Sequence, residues 1–242
     1  MSRVIEEHAP VQILAQRGVS NDWRAAKTVL QRDLIRFWGD KLRIVASVGQ
    51  PFLHFFVLGT GMGGMVMHEQ HLPLRTFLYP GVISLSVLFT CFQSAGSLVT
   101  DREFGFLRVM LVAPVRRSAI LIGKCLGGAV VGVIQGALVV ALGGLANVPY
   151  DPVLIATLLG ELLLLSFSLT AFGVLLAVHV KRMQSFLAIM QLIVTPMYFM
   201  SGALFPVADL PVWLSTMTRL DPLSYAVDPM RRAVFARLGV PV

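Results

Sequence analysis

Two ionisable side chains interrupt long apolar runs: Glu161, within residues 152–180, and His54, within residues 44–67. Charge is costly in hydrocarbon. Such groups therefore face a protein interior or a water-filled route, where they relay protons, balance a cationic substrate or bond a neighbouring helix. Glu161 lies toward one end of its run, so snorkelling or a helix–helix hydrogen bond would also satisfy it. Gln93, Gln135 and Gln191 add polarity without forming a continuous ion path. A second constellation is Asp101-Arg102-Glu103-Phe104-Gly105, followed by the apolar stretch Leu107 to Pro114 and then by Arg116 and Arg117. Gly105 and Pro114 bracket a short helix of mixed character, which could seat in a partner's groove and pass force to the spans on either side. An ordinary juxtamembrane loop has the same composition. A third constellation lies near the C-terminal end: Pro206, Pro211, Pro222 and Pro229, interleaved with Phe205, Trp213 and Tyr225. There Asp228 and Arg231, three residues apart, can pair along one helix face.

The motifs of soluble catalysis are not found. Gly59, Gly61 and Gly64 match a dinucleotide fingerprint, but that fingerprint needs a preceding strand, and here it ends an apolar run. Gly123-Lys124-Cys125 has neither the upstream glycine nor the hydroxyl of a phosphate loop. There is no HExxH and no GxSxG. Cys91 and Cys125 have no CxxC partner. The expectation is a chain that is not an enzyme, with no metal and no cofactor of its own.

The elements that would position these residues are helical and membrane-embedded. Of 242 residues, 56% are hydrophobic and only 14% charged, and the mean hydropathy is +0.76. Soluble domains carry about 25% charged residues. Five apolar runs, at about 44–67, 76–99, 119–146, 152–180 and 185–204, are each long enough to cross a hydrocarbon core as a helix. The fold class expected is an all-α integral membrane protein, a polytopic helical bundle. Residues 1–43 precede it and residues 205–242 follow it. The net charge of +7 argues for basic loops facing the cytoplasm rather than for nucleic acid. Of the 20 Lys and Arg, fifteen fall on the N-terminal side of the membrane, which places the N-terminus in the cytoplasm.

Within residues 1–43, the stretch 22–40 has the spacing of an amphipathic helix. Asn21 or Asp22 caps it, and Trp23, Ala26, Leu30, Leu34, Phe37 and Trp38 form an apolar stripe. Arg24, Lys27, Gln31, Arg32 and Arg36 form the other face. Such a helix lies in the membrane interface. In the third run Gly128, Gly132 and Gly136 recur every four residues, a small-residue face for close helix contact with another span of this chain or of a second copy. The stretch 201–232 is too polar and too interrupted to span, and suits two short helices dipping partway into the outer leaflet.

Several of these pieces resemble the membrane subunits of ABC-2 type exporters, in particular the daunorubicin-resistance and nodulation-oligosaccharide export permeases. They are Asp101 to Gly105, Leu107 to Pro114, Ile122-Gly123-Lys124, Ser201-Gly202, Phe205-Pro206, Leu210-Pro211, Pro222-Leu223, Tyr225, Asp228 and Arg231. The resemblance covers about residues 22–237. It implies a permease that pairs with a second copy or a related permease and with a cytoplasmic ABC ATPase subunit that binds ATP and Mg. By the same resemblance, residues 101–114 dock on the ATPase through Arg102, Glu103, Phe104, Gly105, Leu107 and Pro114. Trp23, Arg24, Lys27, Arg32 and Trp38 belong to the interface helix. Phe205, Pro206, Pro211, Trp213, Pro222, Tyr225, Asp228 and Arg231 belong to extracellular re-entrant helices. The implied location is the bacterial inner (plasma) membrane. The implied cargo is an amphipathic drug, lipid or lipid-linked glycan. An ion-coupled transporter or channel using Glu161, and a non-transporting accessory subunit, are the rival readings. Members of the family usually continue into a sixth span after the Asp228/Arg231 motif; five runs are visible here, and the expectation is either a truncated sequence or a final span that is absent.

Overall fold

The computed structural model describes residues 19–61, 74–106, 116–146, 148–203 and 212–238. Its helices are α1 (Val19–Gly39), α2 (Lys41–Gly61), α3 (Leu74–Glu103), α4 (Arg117–Val140), α5 (Pro152–His179), α6 (Met183–Met200), α7 (Val212–Leu220) and α8 (Ser224–Leu238). A 3-10 turn, Ala141–Ala146, continues α4. No strand occurs among the described residues. Among the described residues four helices are long and apolar enough to cross a membrane: Thr76–Glu103, Arg117–Gly144, Pro152–His179 and Met183–Met200. They correspond to the second to fifth apolar runs. The first run falls on α2, whose apolar stretch Ile44–Leu53 is shorter; residues 62–67 lie outside the described residues.

The bundle is built around α3, which packs against α4, α5 and α6. Phe77, Ile83, Leu88, Phe92 and Val99 of α3 are buried in its core. The glycine face of α4 explains how close the neighbours come. A Cβ on Gly128 would lie 2.4 Å from Thr170 Cγ2, one on Gly132 would lie 2.6 Å from Cys91 Sγ, and one on Gly136 would lie 2.7 Å from Leu162. The partners of this face are thus α3 and α5 of the same chain. At its N-terminal end α4 turns further small residues toward α1, and a Cβ on Gly123 would lie 2.8 Å from the Ala26 carbonyl oxygen.

The helix α1 buries Ala26, Val29, Asp33 and Phe37, a stripe at spacings of three and four. Trp23 and Trp38 of the expected apolar stripe lie outside this buried face, at 65% and 62% exposed. Trp23 sits near the level where α4 begins, because Asp22 Oδ1 accepts from the Arg116 N–H at 3.1 Å. Asp22 therefore caps α4 and not α1, which already starts at Val19.

At the opposite end of the bundle, Asp151 caps α5 by accepting from the Val153 N–H, with Pro152 in the first turn. Arg237, near the end of α8, pairs with Asp151 at 2.8 Å. The start of α8 lies near Glu161, about 15 Å deeper along α5 at 1.5 Å per residue. So α8 runs from the interior of the bundle out to that end, beside the first half of α5. Phe235 packs on Phe77, and Ser84 Oγ contacts Met230 Sδ, so the same course follows α3.

Candidate functional site

The last turn of α3 is a junction. Residues 100–103 belong to the helix and not to a loop, which corrects the boundary expected from sequence; the chain breaks at Phe104 and at Gly105, where φ is +75°. Glycine adopts that left-handed geometry without steric cost, as at many helix C-termini. Three consecutive side chains then reach different helices. Asp101 accepts from Lys124 of α4 at 3.0 Å and from Arg32 of α1. Arg102 donates to the Val178 and Val180 carbonyls at 3.0 and 2.9 Å, satisfying the C-terminal end of α5. Glu103 accepts from the Met183 N–H at 3.3 Å, at the start of α6. Phe104 bonds to none of these and is 82% exposed.

Beneath this junction lies a buried charge cluster. Lys124 is 1% exposed, and its Nζ meets Asp33 Oδ1 and Asp101 Oδ2 at 3.0 Å each. Its remaining proton goes to Ser97 Oγ at 2.7 Å. Arg32 adds a second positive charge against Asp101, and its guanidinium stacks 4.9 Å from the Phe106 ring centre. Two cations and two carboxylates thus balance in a small volume. The sequence pattern marks Lys124 only within Ile122-Gly123-Lys124 and does not single out Asp33. The signal was present: Asp33 lies four residues from both Val29 and Phe37 on the apolar face of α1. An acid on one apolar face and a lysine on another are the pattern of a buried pair.

The opposite half of the bundle holds a groove of about 340 Å³ lined by Glu161, Leu164, Leu165, Ser168, Pro222, Tyr225, Ala226 and Pro229. Glu161 is half-buried, and its Oε2 has no hydrogen-bond partner among the described residues. Arg231 of α8 is buried as well. It donates to the Gly202 carbonyl at 2.6 Å and lies 4.2 Å from the Phe77 ring centre. Gly202 itself has φ +71°, so this arginine locks the turn that leaves α6. The expected Asp228–Arg231 pair is long, at 3.9 Å, with its carboxylate half exposed, and such a pair contributes little. Asp221 accepts from the Leu223 N–H at the entry to α8. Burial pushes its carboxyl up to about 6, while the Leu223 N–H bond pulls the other way.

The sequence-derived site residues are therefore distributed as follows. Arg102, Glu103, Phe104 and Gly105 form the corner, with Arg32 joined to it; Leu107 and Pro114 lie outside the described residues. Trp23, Arg24, Lys27 and Trp38 lie on α1 away from α4. Pro222, Tyr225, Asp228 and Arg231 lie on or just before α8, and Trp213 on α7. Phe205, Pro206 and Pro211, together with the side chains of Trp213 and His54, lie outside the described residues.

Known proteins share this sequence pattern. A putative transport permease, ycf38, from Cyanophora paradoxa is 27% identical over 84% of this chain and 71% of its own length. Nodulation protein J from Rhizobium leguminosarum bv. trifolii is 27% identical over 95% of this chain and 86% of its own length. The inner membrane transport permease YadH of Escherichia coli K12 is 25% identical over 91% of this chain and 86% of its own length. The pattern that defines the ABC-2 type transporter family matches residues 24–235, from α1 to α8, and a multi-pass helical bundle with that match belongs to the ABC-2 type transporter family as a membrane transport permease.

Proposed function

We propose that the chain is the membrane subunit of an ATP-driven exporter whose ATP and Mg are bound and hydrolysed by a separate cytoplasmic ABC ATPase. The observation that carries this reading is the α3 corner. Asp101, Arg102 and Glu103 tie α1, α4, the end of α5 and the start of α6 to one turn of helix, and Phe104 projects from it into the open. A push on that corner reaches every helix it holds. The family membership and the lack of a phosphate loop in the sequence support a partner chain as the source of the push. The excess of basic residues on the corner's side of the membrane supports a cytoplasmic corner and N-terminus. The name of the Escherichia coli relative supports an inner-membrane location.

Leu187, Leu192 and Phe199 of α6 are exposed beside Gln191, which bonds only within its own helix to Thr195. That face suits a second copy or a related permease. The course of α8 suits a re-entrant helix on the extracytoplasmic side. The groove beside it, mostly apolar with one carboxylate, supports an amphipathic drug, lipid or lipid-linked glycan as cargo. The test is purification from native membranes in mild detergent, with identification of bound chains and an ATPase assay. A stoichiometric soluble subunit with a phosphate loop is expected. The chain emerging alone and without ATPase activity would count against the exporter.

The unpartnered Glu161 Oε2 favours a second reading, in which transport is coupled to an ion. That reading requires Glu161→Gln to abolish a proton-gradient-dependent flux. In the exporter, flux follows ATP and survives collapse of the gradient.

A further inference from the structure

The cluster around Lys124 is more costly than packing requires. Each buried ion loses hydration, and a well-shaped apolar substitute is often as stable or more so. Its four members come from three helices: Asp33 from α1, Asp101 and Ser97 from α3, Lys124 from α4. Gly123 and Gly127 flank the lysine and let α1 come close, since a Cβ on Gly127 would lie 3.1 Å from Asp33 Oδ2. That Oδ2 is buried and has no hydrogen-bond partner among the described residues. It is thus a spare acceptor within the cluster. All three protons of the Lys124 ammonium are in use, on Asp33, Asp101 and Ser97.

We infer that Lys124 is a positioning residue that joins the α3 corner to α1, so that displacement of the corner by a partner moves α1 with it. The inference rests on the exporter reading above. The lysine gives the joint two arrangements. In one it is shared between Asp33 and Asp101. In the other, Asp101 has withdrawn with the corner, and the freed proton turns to Asp33 Oδ2. A ligand or partner can shift such an element only through different contacts in its two states, and Asp101 is the contact that differs. Arg32 follows Asp101 from the α1 side, so α1 is held through charges of both signs: Arg32 to Asp101 of α3 and Asp33 to Lys124 of α4.

The test has two arms. The first uses the purified chain and no ATPase. Asp101→Asn should speed hydrogen exchange of the α1 amides about tenfold while leaving α6 unchanged, because local opening follows the contacts that are lost. Unchanged exchange in α1 would overturn the joint. The second arm uses the complex with its co-purified ATPase, and a shape-preserving variant, Lys124→Met with Asp33→Asn and Asp101→Asn, that leaves no unpaired charge among the three and only the partly exposed Arg32 without its carboxylates. Spin labels at exposed Thr28 of α1 and exposed Leu175 of α5 report the movement of α1 on addition of Mg-ATP and vanadate. The native complex should show a distance change, and the triple variant should lose it while still hydrolysing ATP. Equal movement in both, or no movement in the native complex, would overturn the inference. Lys124→Arg, which keeps the charge, should retain part of the movement. If no ATPase co-purifies, the exporter reading fails, and the exchange arm still decides the joint.

Discussion

The two halves of α4 are held by opposite chemistry. From Gly128 to Gly136 it is gripped by packing: backbone and small side chains close on Thr170, Cys91, Ser166 and Leu162 at distances that leave no room for a methyl group. From Gly123 to Gly127 it is gripped by charge, through Lys124 and the carboxylates of α1 and α3. Packed contact is short-ranged and lost entirely on separation. A charge-assisted contact tolerates exchange of partners. The packed half suits a body that stays together, and the charged half suits a joint that changes.

Single and combined substitutions separate the two. The largest effect is expected at Lys124. Lys124→Met alone leaves Arg32 as one cation against two buried carboxylates, Asp33 and Asp101, at a cost of about 3–5 kcal/mol, read as a lowered thermal midpoint in detergent. Recovery of most of that loss when Asp33→Asn and Asp101→Asn are added would confirm charge, not shape, as its source. In the packed half, Gly132→Leu should cost about 1–3 kcal/mol or more by overpacking and should loosen α3 and α5 together in hydrogen exchange. Gly123→Val acts at the joint. It should release α1, whose Ala26 backbone blocks the new side chain, and leave the α3–α4–α5 core protected. Gly160 is the control: no atom lies within 4 Å of its added Cβ, so Gly160→Ala should be neutral or stabilise by up to about 1 kcal/mol.

The smallest effect is at Asp221. Its carboxyl has an ordinary value of 3.8 and is raised to about 6 by burial, so the fold binds a proton that the unfolded chain releases. The contribution is full below the lower value and is lost as pH rises through the upper one. The thermal midpoint should therefore fall between about pH 4 and pH 7, and Asp221→Asn should flatten that slope. A steeper slope in the variant would reverse the assignment.

The bundle was legible because apolar length is a strong signal. The runs at 76–99, 119–146, 152–180 and 185–204 match α3 to α6 within a few residues at most ends. The small-residue face of α4 was also legible, and only its partner was open. Chemistry in the junctions was harder to read. Arg102 and Glu103 look like loop charges available to a partner, yet both bond within the chain, because unsatisfied helix ends nearby compete for them. Asp33 looked like one more polar residue on a basic helix. Its role depends on Lys124, 91 residues away, and no local period encodes that distance. Trp23 and Trp38 share the helical spacing of the buried stripe, but the buried face of α1 is fixed by where α4 lies.

The claim that the α3 corner meets an ATPase is tested most directly by photo-crosslinking from its exposed side chain. A benzoyl-phenylalanine replaces Phe104 in native membranes, with the same group at exposed Tyr150, at the other end of the bundle, as the control. An adduct with a soluble phosphate-loop protein from position 104 and none from position 150 is expected. If position 104 yields only lipid adducts while the purified complex still contains an ATPase, the partner binds elsewhere and the corner is not its seat.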